Sequence, residues 1–298
     1  MIWWNTLSLR RRIAPLGAIL LYWTALRLLG GLRWEHGAIG AAILLLSYLG
    51  PRAERLLAFL APFFSVGVIY DSMRYYGDLL RGRIRVAEPY LFDLRWFGIR
   101  TGGRVLTPNE WWQLHTHPAL DLLSGAAYLV FIGVFLWTAA WFRFFHPQRD
   151  VRARAMRLPW AFFWVNLLGY STYYWYPAAP PWYAALYGLG PARLEVRPNP
   201  AGAARFDELL GTHFFEGMYG RSADVFGAIP SLHVAYPLIA VYFAFRFRSL
   251  RVPCLAFYLL MCFSAVYLNH HYVLDVLWGS GYALAVCLAL ERRAQSSQ

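Results

Sequence analysis

The chain has 298 residues, 59% of them hydrophobic and 15% charged, with a mean hydropathy of +0.37. A soluble domain is about 45–50% apolar and about 25% charged. One globular core of this size cannot hide the excess, so the composition excludes most soluble folds and sends the surplus to lipid. The formal charge of +12 comes from 28 basic residues, all Arg, set in short clusters between apolar runs. Such clusters mark topology and lipid head groups rather than a nucleic-acid-binding face. Cys254, Cys262 and Cys287 lie inside apolar runs and give no disulfide framework.

In chain order, residues 1–30 carry a basic stretch (Arg10, Arg11, Arg12) and an apolar run without a small-residue cleavage site, which reads as an uncleaved first span. Apolar runs predict eight spans, over 13–30, 37–50, 56–73, 120–142, 158–176, 229–245, 252–268 and 272–290. A bilayer core takes about 20 helical residues, so the second run is short. No alternating ten-residue pattern argues for a barrel, and backbone in lipid must satisfy itself, so the expected fold is an all-α polytopic helical bundle. Residues 1–50 read as an added membrane hairpin on a main domain over 51–298.

Segments 1–12, 51–55, 143–157, 246–251 and 291–298 hold 15 Arg in 46 residues, against 12 in 104 for segments 31–36, 74–119 and 177–228. The denser side is expected in the cytoplasm, with both termini, and the two long loops outside. The first long loop reads as structured. Residues 89–93 (PYLFD) and 110–112 (EWW) mix aromatics with charge, as interfacial helices do. A cluster over 170–183 (YSTYYWYPAAPPWY) ends the fifth span at Pro177, as an interfacial belt or as one wall of a head-group pocket that includes Trp182.

Two stretches are unlike membrane filler: Gly-Ala-Ile-Pro-Ser-Leu-His over 227–233 and Asn-His-His-Tyr-Val-Leu-Asp over 269–275, followed by Gly279. Ionisable residues at spans are costly, which makes His233, His271 and Asp275 candidates. A four-residue spacing puts His271 and Asp275 on one helix face, where the carboxylate fixes the imidazole tautomer and frees the other nitrogen to attack. A second histidine protonates a departing oxygen. Pro230 suits a first helical turn, and Ser231 offers its hydroxyl and nearby N–H groups to an anion. Nucleophile, orienting group, acid and anion seat together fit phosphoryl transfer. His115 and His117 near Asp121 lack the usual helical spacing of metal ligands, and no Gly-rich nucleotide loop follows a strand, so no metal or other cofactor is expected.

P-S-L-H followed by H-Y-x-x-D-x-x-x-G resembles the type-2 phosphatidic acid phosphatase superfamily. G-A-I-P-S-L-H, H-H-Y-V-L-D, P-A-A-P-P-W-Y and the Tyr-Asp-Ser-Met-Arg run at 70–74 look like its inositol phosphorylceramide synthase branch, in segment order over roughly 56–290. The resemblance implies a six-helix catalytic core within 51–298, an outward-facing site and a covalent phosphohistidine. His271 then matches the nucleophile, Asp275 its orienting carboxylate and His233 the general acid/base.

Departures narrow the reading. The superfamily's phosphatases carry a Lys-containing first motif that a lysine-free chain cannot contain, and a Ser-Arg pair where this chain has Ser264 and Ala265. A phosphomonoester carries nearly two charges at neutral pH and a phosphodiester one, so the loss of two cations favours a phosphodiester donor. Arg221, beside Tyr219, is the candidate for the remaining positive charge, and Asp71 and Arg74 for head-group contact. The expected activity is transfer of a phosphoryl-alcohol group, phosphoinositol by the resemblance, from a phospholipid donor to a lipid hydroxyl such as ceramide's. The alternatives are a lipid phosphatase and a non-catalytic lipid-binding protein. Arg as sole basic residue points to a GC-rich genome and a bacterial plasma membrane with the site outward; in a eukaryote that face is luminal.

Overall fold

The computed structural model describes residues 3–220 and 224–296, and the chain divides into two compact units, Met1–Ile69 and Tyr70–Gln298. In the first unit a short α1 (Trp3–Thr6) leads to α2 (Leu9–Leu28), which the Ser8 side chain caps by accepting from the Arg11 N–H. Helix α3 (Trp34–Tyr48) returns against α2. At Gly40 a Cβ would lie 2.5 Å from the Trp23 ring, so only glycine admits that indole, whose Nε1–H donates to His36 O at 3.0 Å. Helix α4 (Pro51–Leu80) begins in this unit and ends in the next.

The second unit continues with α5 (Ala87–Phe97), then a hairpin of β1 (Ile99–Thr101) and β2 (Arg104–Leu106), antiparallel with Ile99 opposite Leu106. Its turn residues Gly102 and Gly103 both take positive φ, as two-residue hairpin turns require. Thr107 and Glu110 form a reciprocal capping box that opens α6 (Pro108–Leu114). Helix α7 (Pro118–Ala140) runs into a π-turn at Trp141–Phe145, followed by α8 (Arg149–Arg154) and α9 (Arg157–Trp175). Then come α10 (Pro181–Tyr187), a 3-10 turn at Ala201–Ala203, α11 (Ala204–Leu210) and α12 (Phe214–Tyr219). Three helices close the chain: α13 (Leu232–Arg246), α14 (Arg251–Tyr267) and α15 (Val273–Ser296).

Each of the eight predicted apolar runs falls on one of these helices, and the charged aromatic stretches of the first long loop form α5 and α6. Pro51–Gly77, Pro118–Phe145 and Val273–Ser296 are long and apolar enough to cross a membrane, and α13 and α14 are shorter apolar helices. The fold is an all-α membrane bundle. Helix ends depart from the predicted runs by up to seven residues, and one such boundary bears on the site. The run at 229 precedes its helix by three residues, because Pro230 lies outside the first turn and Ser231 is the extended N-cap residue of α13.

Helix α13 is the axis of the unit and packs against α7, α9, α14 and α15. A buried polar pair fixes it to α9: the Tyr236 hydroxyl donates to Asn166 Oδ1 at 2.6 Å, and Asn166 Nδ2 donates to Phe162 O at 2.7 Å. Away from lipid head groups such groups are costly unless satisfied, and here each has its partner. At the other end Glu291 of α15 accepts from Arg246 of α13 at 3.1 Å and from Arg157 of α9. Helix α15 comes close against the residues before α13. A Cβ at Gly279 would stand 2.2 Å from Ser231 O, whereas one at Gly281 would meet nothing within 4 Å.

That contrast gives a paired test. Gly279→Ala should cost about 1–3 kcal/mol of stability by overpacking, while Gly281→Ala should leave stability unchanged or raise it by up to about 1 kcal/mol through helix propensity. Thermal unfolding of the detergent-solubilised variants measures both; equal behaviour would show that α15 does not rest on Ser231.

Candidate active site

The two histidine motifs meet. His233, on the first turn of α13, and His271, in the turn between α14 and α15, face each other with His233 Nδ1 3.1 Å from His271 Nε2. The opposite nitrogen, His271 Nδ1, lies 3.0 Å from Ala228 O and 3.3 Å from Asp275 Oδ2. The Ala228 carbonyl can only accept, so Nδ1 carries the proton and Nε2 keeps its lone pair toward His233. His271 is 5% exposed and Asp275 is fully buried. Burial drives the His271 imidazole down to about 4, with the Ala228 hydrogen bond opposing the shift. The ring is therefore neutral near pH 7, with one unprotonated nitrogen and its tautomer fixed.

The helix-face argument for His271 and Asp275 needs correction. His271 lies two residues before α15, and the contact arises from the helix start. Asp275 is the third helical residue, and its Oδ2 accepts the backbone N–H of Tyr272, just before the helix, at 2.9 Å. The same oxygen then reaches the imidazole. Ser231 also differs in part. Its N–H is used, donating to Asp275 O at 2.9 Å, while its buried hydroxyl has no partner among the described residues.

Surrounding loops set these atoms. Ala178, inside the Pro-Ala-Ala-Pro-Pro run, lies between two strand-like neighbours, Arg85 and Gly227; on the Gly227 side its N–H donates to Phe226 O at 2.8 Å and its carbonyl accepts the Ala228 N–H at 3.3 Å. That places the Ala228 carbonyl under His271. Trp182 packs in a buried cluster with Val86, Ala179, Tyr183 and Phe226, and its backbone N–H donates to Asn269 O at 3.2 Å. Tyr219 stacks on His270 with ring centroids 4.8 Å apart, and its hydroxyl lies 3.2 Å from His270 Nε2. The Tyr128 ring in turn stacks on both His270 and His233, at 5.4 and 4.6 Å. Asp71 and Arg74 form an ion pair at 2.9 Å on α4. Arg221 lies outside the described residues.

Several residues at the site carry no motif of their own. Arg205 donates to Asp121 at 2.7 Å and to Gln113 at 3.0 Å, and the Tyr267 hydroxyl donates to the same Asp121 oxygen at 2.8 Å. Its Nη2 is buried without a partner among the described residues, and its charge adds to the burial that holds His270 neutral. Asp93 of α5 and Asn109 of α6 are buried against the His271 turn. The only prior signal for them was the aromatic and charged character of that loop. His115 stacks on Trp111 at 4.1 Å, and His117 caps α7 by accepting from the Ala119 N–H. Among the described residues no three His, Cys, Asp or Glu side chains converge to hold a metal ion.

Residues 104–289 match the family model described as the PAP2 superfamily. The chain is 36% identical over 264 residues to the phosphoinositol dihydroceramide synthase of Bacteroides thetaiotaomicron, covering 88% of this chain and 85% of that relative. It is 33% identical over 187 residues to an inositol phosphorylceramide synthase catalytic subunit of Schizosaccharomyces pombe, covering 61% of this chain and 43% of the relative. The inositol phosphorylceramide synthase of Candida albicans is 33% identical over 173 residues, with 57% and 36% covered. No solved structure matches the chain.

Nitrogen-resolved NMR of histidine-labelled protein checks the tautomer and the titration together. A folded-state value near 4 means the ring gains its second proton only as pH falls through that region. His271 should show the Nδ1–H neutral form from about pH 8 to about pH 5.5. A midpoint near 6.5, or the Nε2–H tautomer, would remove the burial and the acceptor pair as its controls.

Proposed function

The chain belongs to the PAP2 superfamily, and on that footing we propose that it transfers a phosphoinositol head group from a phospholipid to the hydroxyl of a ceramide-type lipid, through His271. The observation that carries this reading is the His271 imidazole, with Nδ1–H held by Ala228 O and Asp275 and Nε2 directed at His233.

The phosphodiester anion enters between the two rings. At 3.1 Å the facing nitrogens leave no room for a phosphoryl group, so the side chains part as the donor binds. The anion's charge favours a second proton on His233, which becomes the acid. His271 Nε2 then attacks phosphorus, the bond from phosphorus to the diacylglycerol oxygen breaks, and His233 protonates that oxygen. The intermediate is a phosphoinositol–histidine with a positively charged ring, which the buried Asp275 carboxylate stabilises. The acceptor hydroxyl next gives its proton to His233 and attacks phosphorus, the P–N bond breaks, and His271 returns to its neutral form. The Ser231 hydroxyl and Arg205 Nη2, both buried and unpartnered among the described residues, fit the non-bridging oxygens. Asp71, Arg74, Tyr219 and Trp182 are assigned to head-group contact; for Arg221, outside the described residues, that role rests on the sequence alone.

Two features favour transfer over phosphomonoester hydrolysis. The position of the phosphatases' motif arginine is Ala265, fully buried, whose carbonyl accepts the His270 and His271 N–H groups at 3.2 and 3.0 Å. The relative of which the chain covers 85% is named a phosphoinositol dihydroceramide synthase. The site is assigned to the outward face of a bacterial plasma membrane, supported by the Arg-dense segments on the opposite side of the span order.

Purified protein with labelled phosphatidylinositol should yield a labelled sphingolipid only when ceramide is present. Release of inositol phosphate without acceptor would show a hydrolase, and free phosphate from phosphatidic acid a phosphatase. His271→Ala should abolish both turnover and an acid-labile adduct, and Asp275→Asn should lower the rate roughly 10²–10⁴-fold, as for other His–Asp pairs. A labelled adduct persisting in His271→Ala would reassign the nucleophile.

Sidedness is tested in a variant lacking the three cysteines. A thiol at the exposed Glu195 should react with an impermeant reagent on intact cells, and one at the exposed Arg149 only after permeabilisation. The reverse pattern would turn the site toward the cytoplasm.

A further inference from the structure

Neither the two histidine motifs nor the comparisons assign a role to residues 87–114, yet this segment sends two buried polar side chains to the backbone of the His271 turn. Asp93, near the middle of α5 and 0% exposed, accepts the Val273 N–H at 2.7 Å and the Leu274 N–H at 3.1 Å. These are the first two residues of α15, whose N–H groups have no partner inside their own helix. Asn109 of α6, 1% exposed, donates both protons of its amide: one to Val266 O and one to His271 O, each at 3.0 Å. The two bonds span the turn from the end of α14 to the nucleophile itself.

We propose that Asp93 and Asn109 are positioning residues that clamp the His271 backbone, and that the 87–114 segment serves as the frame holding the nucleophile in line with the donor phosphorus. The inference rests on His271 being the nucleophile, as set out above. Local capping would have sufficed for helix stability. A Ser or Thr before α15 satisfies such N–H groups without burying a foreign carboxylate. The distant partners instead index the start of α15 to α5 and the end of α14 to α6. With Val266 O, His271 O, Val273 N and Leu274 N all tied, the backbone on both sides of His271 is fixed. The parting of the two imidazoles is then left to side-chain rotation. Nitrogen–phosphorus alignment is steep in distance, and a misplacement of about 1 Å costs about 10²-fold in rate.

The test uses full-length protein in detergent, with the folded fraction measured by thermal unfolding and gel filtration and rates normalised to it. Single-turnover formation of the labelled histidine adduct is compared for Asp93→Ala, Asp93→Asn, Asn109→Ala and Asn109→Asp. Asp93→Ala loses both acceptors, and Asn109→Asp sets a carboxylate against two carbonyls. Both should slow adduct formation about 10²-fold while the donor KM stays within about threefold. Asp93→Asn keeps one acceptor oxygen and should recover to within about tenfold of the unsubstituted protein, with Asn109→Ala between the extremes.

Folded Asp93→Ala and Asn109→Asp reacting at the unsubstituted rate would overturn the proposal. So would a rise in KM matching the loss of rate. Failure of all four to fold, with any surviving molecules fully active, would reduce the contacts to structural ones. If the unsubstituted protein forms no adduct, the phosphohistidine reading fails on its own. Donor-to-acceptor turnover in the same variants then decides the clamp.

Discussion

A neutral imidazole buried between helices is the constraint on which the second unit turns. With almost no water available, both His271 nitrogens need protein partners, and leaving either without one costs about 1–3 kcal/mol. One side is met by acceptors, Ala228 O and Asp275, and the other by His233. Each partner then has to be placed. The Ala228 carbonyl depends on the pairing of its N–H with Ala178, and Asp275 on the start of α15. His233 depends on α13, which α7, α9, α14 and α15 surround. Much of the architecture around the pair can be read as the means by which one unsolvated ring is satisfied.

The same constraint assigns work to segments that look like connections. The proline-rich run after α9 carries Ala178 between two strand-like neighbours, and Trp182 extends it to Asn269 O. Its prolines keep the backbone extended and stop α9, so the run cannot be absorbed into the helix that precedes it. Gly279 belongs to the same scheme from the other side. Its missing Cβ lets α15 come against Ser231 O, which brings Asp275 and the start of α13 together. The glycine four residues after the aspartate therefore has a steric reason independent of helix propensity.

The bundle, its eight apolar runs and the catalytic candidates were legible in the sequence because each rests on a local signal: hydropathy over about 20 residues, or an ionisable residue in an apolar setting. The same local logic misplaced Pro230 and the His271–Asp275 geometry, since a four-residue spacing describes a helix face equally well when the first residue lies in the preceding turn. Asp93, Asn109, Arg205 and Tyr128 were not legible. Their partners are distant, with Asn109 bonded across 162 residues to His271 O and Arg205 across 84 to Asp121. No periodicity or short motif encodes such a pair. Arg221 stood out because it precedes a motif, whereas Arg205, the cation that bears on His270, sits in an unremarkable Ala-Arg-Phe-Asp run.

Burial also bears on the choice between transfer and hydrolysis. A phosphohistidine is a reactive phosphoryl donor, and its fate depends on which hydroxyl reaches phosphorus first. In an open cleft water wins by concentration. In this protein His271 is 5% exposed, Asp275 and Ser231 are fully buried, and aromatic rings of Tyr128, Phe131 and Tyr219 stack on or lie beside the histidines. Such walls exclude water from the reacting atoms, and an acceptor whose chains lie in the bilayer meets the site from the lipid side at high local concentration. In the proposed mechanism the apolar enclosure that depresses the His271 pKa also preserves the adduct for a lipid alcohol. On that proposal, nucleophile activation and acceptor choice follow from one physical property, the dryness of the turn between α14 and α15.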